Sequence, residues 1–138
     1  HRAAASAGTL QFLAFMPILD IELVQLDGEP APAASLTQAL ADAAGRVLGS
    51  APGRTWVRVH ALGASQYAEN GVAVAPTGLP VFVTVLHAHP PQRETLVAEV
   101  LALTQAVATC LGRPPGQVHI QYAPPGSGRQ AFGGTLVT

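Results

Sequence analysis

The sequence predicts an α+β fold: a tandem βαβ repeat forming a four-stranded sheet with two helices on one face. Three observations carry this expectation. Strand-like alternation and helix-like spacing follow one another twice along the chain. Both helical stretches end at a glycine with a proline shortly beyond it. Superposing Pro17 on Pro80 also lays "LGSAPG" over "LGRPPG" and Gly71 over Gly134 without a gap, the mark of an internal duplication.

The first strand opens at Pro17, where Ile21 and Leu23 alternate with Asp20 and Glu22, and it ends near Leu26 before the turn-forming "DGEPAP". From 33 to 48, Leu36, Leu40, Ala43, Ala44, Val47 and Leu48 recur at helical spacing, and Gly49 with Pro52 supplies the stop. "TWVRVHAL", 55–62, alternates again, with Val57 and Val59 on one face. The loop "GASQYAENG" follows. The second half repeats the order: "PVFVTVLHA" as a strand from Pro80, 91–111 as a helix, "QVHIQYA" as a strand, then the Gly-rich "GRQAFGG" and a short "TLV" edge. Strands joined through a helix crossover lie parallel and are connected in the right-handed sense. The repeats are read as 17–71 and 80–134 of a single domain, 16–138. The face of the sheet opposite the helices is expected to be apolar and covered by another subunit.

Composition limits the function classes. Of 138 residues only 11% are charged, the net charge is −1 and the mean hydropathy is +0.32, a balance that favours an oligomer. Seven Lys+Arg residues are scattered singly, so the basic footprint of a nucleic-acid binder is missing. Apolar stretches are broken by Asp20, Glu22, Asp27 or proline short of the ~20 residues that cross a bilayer, so no membrane span is expected. The lone Cys110 reads as a core thiol in a reducing cytoplasm. Residues 1–15 read as a tag remnant or leader, since they are Ala-rich, with one arginine and no acid, and begin with His rather than Met.

A methionine followed by proline at a strand start, βαβ units and closing glycine pairs, in the pattern "MPILDIELV … TWVRVHAL … YAENG … PVFVTVL … GRQAFGG", resemble the tautomerase superfamily. The similarity is to its fused, double-length members, the 4-oxalocrotonate tautomerase-like proteins, with the fold of macrophage migration inhibitory factor, and it covers Met16 to Val137. The resemblance implies a homotrimer, no cofactor, and a small organic acid as substrate. It implies that Met16 is removed and that the secondary amine of Pro17 then acts as general base or acid. Physical chemistry agrees: an α-amino group titrates near 8, and partial burial beside cations lowers it further, whereas an internal proline nitrogen is an amide with no lone pair to offer.

The same resemblance matches Arg58 to a strand arginine that binds a substrate carboxylate, a role suited to its forked donors. It sets Arg129 in the closing loop near a site aromatic, and Tyr67 in the loop that walls the pocket. Asn70 reads as a turn residue and Pro80 as a structural strand opener. The departure is "LHAHPP", 86–91. Dehalogenating or decarboxylating members carry an arginine pair at this strand end, where this chain has Ala88, His89 and Pro90, with Arg93 further on. His87 and His89 stand as candidate substrate-binding donors in their place. Two histidines two apart on a strand also suit a metal, but His60 and His119 are not fixed nearby, and no metal is expected.

Two functions follow. The first is a cytoplasmic enzyme using Pro17 and Arg58 in keto-enol tautomerisation or hydration of a small α-keto or unsaturated carboxylic acid. The second is a non-catalytic trimer of the same fold that binds a small ligand or partner, with Pro17 blocked by the upstream segment. In one version of it "LQFLAF" plugs the pocket through Leu10, Phe12, Leu13 and Phe15.

Overall fold

The structure, a computed structural model, describes residues 16–138. The expected packing of Leu10, Phe12, Leu13 and Phe15 lies outside the described residues. The elements run β1 (Ile18–Gln25), α1 (Ala34–Leu48), β2 (Trp56–Gly63), β3 (Val81–Leu86), α2 (Arg93–Leu111), β4 (Val118–Tyr122), and a small hairpin of β5 (Ala131–Phe132) and β6 (Thr135–Leu136).

Each helix ends for the same reason. Gly49 and Gly112 sit in the left-handed region, at φ 66° and 63°, where a side chain is disfavoured, and their amides turn back onto the last carbonyl groups. Both α1 and α2 place their apolar stripes on one face of a four-stranded mixed sheet ordered β2-β1-β3-β4. The outer pairs β1·β2 and β3·β4 are parallel, as crossovers through helices require, and the two halves meet at the central antiparallel pair β1·β3.

Strand alternation decides what each face carries. Leu19, Ile21, Leu23, Val81, Val83, Val85 and Val118 point to the helices and close on Leu40, Ala44, Leu103, Val107 and Ala108 in one core. The intervening residues form the open face: Asp20 beside Arg58 and Thr84, and Glu22 beside His60 and Phe82, with Gln121 and His119 completing the two rows. Ile18 beside Trp56 and Leu86, and Val24 beside Leu62, add apolar rows to that face, so it is mixed polar and apolar where a wholly apolar cover surface was expected. Trp56 is 43% exposed on that face, and Val97 and Leu101 are exposed on the outer side of α2. By length and composition alone α2 is long and apolar enough to cross a membrane. Here it packs its Leu103, Val107 and Ala108 stripe on the sheet.

Candidate active site

Pro17 is buried just ahead of β1, where a missing backbone N–H costs no ladder bond. Its carbonyl oxygen accepts the Trp56 amide at 3.1 Å, tying it to β2. Met16 is only 5% exposed, and its Sδ lies 3.9 Å from Arg54 Nη1. With Met16 attached, the Pro17 nitrogen is an amide.

Carried one step past Ile18 and Leu86, the antiparallel register sets Pro17 opposite His87. Both share the parity of the core-facing Leu19 and Val85. His87 then meets a carboxylate from the helix above it. Its Nε2 lies 2.8 Å from Glu99 Oε2, and the Tyr122 hydroxyl donates to the same oxygen at 2.8 Å. The imidazole stacks on the Tyr122 ring, 5.8 Å between centroids and 15° between planes. The side chains of His87 and Glu99 are 13% and 11% exposed.

The electrostatics of this cluster are coupled. Burial works to raise the Glu99 carboxyl, but the hydrogen bonds from His87 and Tyr122 outweigh it and hold it below the ordinary carboxylate range. Burial, followed by the bond to Glu99, pushes the Tyr122 phenol well above its usual value. An ionised Glu99 only accepts, so the His87 tautomer assigned by this network carries its proton on Nε2. Nδ1 is left as an acceptor with no partner among the described residues.

The chain's closing segment frames the same end of the sheet. The Gly126 amide donates to the His87 carbonyl oxygen at 2.8 Å, and the Ser127 amide to that of Ala88 at 3.1 Å. From the β5–β6 hairpin, Phe132 meets Trp56 edge to face, at 5.2 Å and 87°. Arg129 is exposed in the turn between these contacts, its amide donating to Gly126 O at 2.8 Å. His89 is exposed, with Nε2 3.0 Å from the Thr138 carbonyl oxygen.

Arg58 and Tyr67 lie elsewhere in the chain. Arg58 is on the open face, its Nε and Nη2 at 2.6 and 2.9 Å from the two Asp20 carboxylate oxygens. This bidentate bond, and then the Asp20 charge, hold its guanidinium above its ordinary value. Tyr67 donates to Glu69 at 2.6 Å, a bond that raises its phenol, and its ring lies 5.9 Å from that of Phe82. Phe82 pairs with Glu22, five residues along β1 from Pro17, or about 17 Å of strand.

The structure therefore sets Pro17 across from His87 by strand register. It sets His89 and Arg129 with the closing segment, Arg58 on the opposite sheet face, and Tyr67 toward the far end. The sequence reading did not single out Glu99, Tyr122, Trp56 or Phe132. Glu99 had a signal, as the acid in the middle of the apolar helical run "LVAEVLALTQ", where a charge stays only if partnered. Phe132 lies in the closing loop where the resemblance implied a site aromatic. Two shallow grooves, of about 350 and 330 Å³, lie along α1 with the 50–55 turn and between α1 and α2, and neither includes Pro17 or His87.

No family model matches this sequence, and no curated protein matches it. Solved structures do. A wild-type fused 4-OT forming a symmetric trimer superposes with a TM-score of 0.68 at 23% identity, over 87% of this chain and 94% of its own. Pt0534 inactivated by 2-oxo-3-pentynoate gives 0.66 at 17%, over 87% and 94%. FG41 malonate semialdehyde decarboxylase inhibited by 3-bromopropiolate gives 0.59 at 19%, over 84% and 90%. At these identities the shared feature is the fold, a four-stranded sheet with two helices on one face.

Proposed function

We propose that this chain is a tautomerase-superfamily enzyme in which Pro17, made amino-terminal by removal of Met16, is the general base and acid for a small α-keto or unsaturated carboxylic acid. The single observation that supports it most is the position of Pro17: at the head of a central strand, opposite an oriented imidazole and flanked by Trp56. A secondary amine there would be partly desolvated, which favours its neutral, proton-accepting form. Arg58 is the proposed carboxylate clamp. Because it lies on the other sheet face, it serves Pro17 of an adjacent subunit in a homotrimer, the assembly of the similar fused 4-OT. Tyr67 joins it by the same route, while His87, His89 and Arg129 are the proposed substrate contacts within the protomer. The proposed location is the cytoplasm.

The test is ketonisation of phenylenolpyruvate by chain beginning at Pro17. Pro17→Ala is expected to lower kcat about 100-fold or more, the usual contribution of a positioned acid or base. The parent should also be labelled on Pro17 by 2-oxo-3-pentynoate, the acetylenic keto acid that inactivates Pt0534. Unchanged ketonisation together with an unlabelled Pro17 would refute the reading.

One observation favours the non-catalytic alternative. Asp20 already occupies the Arg58 fork, and Met16 is packed away rather than presented for removal. On that reading the fold binds a small ligand with Pro17 as a permanent amide. A native protein whose mass includes Met16 would favour it.

A further inference from the structure

The geometry points to a second acid-base centre in this protein: His87, oriented by Glu99, which abstracts and returns a proton at a small carbonyl compound through Nδ1, with or without a free Pro17 amine. This goes beyond the proline reading, because it holds even when the upstream residues remain attached.

Four observations carry it. His87 Nε2 is committed to Glu99 at 2.8 Å, which fixes the ring and leaves the Nδ1 lone pair without a partner among the described residues. Tyr122 fixes the carboxylate in turn by donating to the same Oε2 at 2.8 Å, and its ring stacks on the imidazole. A histidine whose second nitrogen is held by an ionised carboxylate is a base fixed in one tautomer and one orientation. Finally, the register sets His87 beside Pro17 at the end of the sheet closed by the 126–137 segment, so the base lies where the proposed substrate would bind. Burying a carboxylate costs stability that a leucine at the same helix position would not. The first half of the chain makes that cheaper choice: counted back from Gly49 and Gly112, Leu36 stands where Glu99 stands.

The chemistry balances without a cofactor or co-reactant. Neutral Nδ1 takes the proton from the carbon next to a carbonyl group, and the C–H electron pair becomes the C=C bond of an enolate whose oxygen carries the charge. The imidazolium then returns the proton to that oxygen or to carbon, so the net change is a tautomerisation or an exchange with solvent. Among the described residues, the groups that face the imidazole are Glu99 from α2 and Tyr122 from β4, while His89, next along the strand end, is engaged with the Thr138 carbonyl oxygen.

The experiment uses the full 138-residue chain, in which Pro17 is an amide. Hydrogen-deuterium exchange at C3 of 2-oxobutanoate is followed by proton NMR against the same concentration of free imidazole. The expected result is exchange at least about tenfold above imidazole, abolished by His87→Gln through kcat rather than KM. Glu99→Gln should lower the exchange rate through kcat rather than KM, and Glu99→Asp should restore part of it. Melting curves of every variant separate loss of the base from loss of the fold, and Tyr122→Phe, which keeps the ring stack, supplies a milder variant. Exchange no faster than imidazole, or exchange that His87→Gln leaves unchanged in a folded protein, overturns the inference. Either result leaves the proline reading standing, since that is read on chain beginning at Pro17.

Discussion

The two halves of this molecule share a frame and differ in what fills it. Both run strand, helix, strand, both helices stop at a left-handed glycine, and both supply apolar residues to one core. Around α1 the filling is aliphatic, with Leu36 and Leu40 over Val57 and Val59. Around α2 it includes a carboxylate, an imidazole and a phenol bonded to one another. The backbone plan thus tolerates a polar cluster in one half only because each member satisfies the next, and the half that bears that cost is the half that faces Pro17. The difference separates what the fold needs from what chemistry needs.

Substitutions that remove the shared part should hurt both halves alike. Leu40 and Leu103 are 1% and 0% exposed, and each change to alanine is expected to cost about 3–4 kcal/mol in urea unfolding. A much smaller loss at one of them would show that the halves do not share one core. Substitutions in the polar cluster should separate the halves. Glu99→Ala strands His87 and Tyr122 and is expected to cost about 2–3 kcal/mol, against roughly 1 kcal/mol for Leu36→Ala at the half-buried matching position.

The same cluster gives the second half a pH dependence. Because folding lowers the Glu99 carboxyl below its reference value of 4.5, its contribution is complete above that pH and is lost as pH falls through the lower folded value. Acid unfolding of the parent should therefore begin sooner, relative to its neutral-pH stability, than that of Glu99→Gln; matching acid profiles would remove Glu99 from the account. Tyr122→Phe deletes one hydrogen bond while keeping the ring, and should cost about 1 kcal/mol. The smallest effect belongs to Asp20→Asn on the exposed open face. Stability should barely change, while the freed Arg58 fork should bind small carboxylates more tightly by titration calorimetry.

The sequence made the elements legible because their signals are local. The helix expected over 33–48 is found at Ala34–Leu48, that over 91–111 at Arg93–Leu111, and the strand opening at Pro80 at Val81–Leu86. Register was less legible. The gapless superposition sets Leu19 on Phe82 and Ile21 on Thr84, yet Leu19 and Ile21 face the core while Phe82 and Thr84 share the open face. A strand has a period of two, so the central strands must be offset by one residue from the match that suits the helices and glycines. Asp20, Glu22, Arg58, His60 and His119 all fall on the open face. Of the candidate site, Pro17 was legible as a strand opener and His87 as a strand-end histidine. Its partners Glu99 and Tyr122 come from 12 and 35 residues further along the chain, and only the fold reveals the contact.

The most direct test compares two chains that differ by one residue, one beginning at Pro17 and the other at Met16, in ketonisation of phenylenolpyruvate at neutral pH. A free proline amine as the principal base predicts that retaining Met16 lowers kcat about 100-fold or more, leaving a residue of activity that depends on His87. Equal rates from the two chains would contradict a catalytic Pro17.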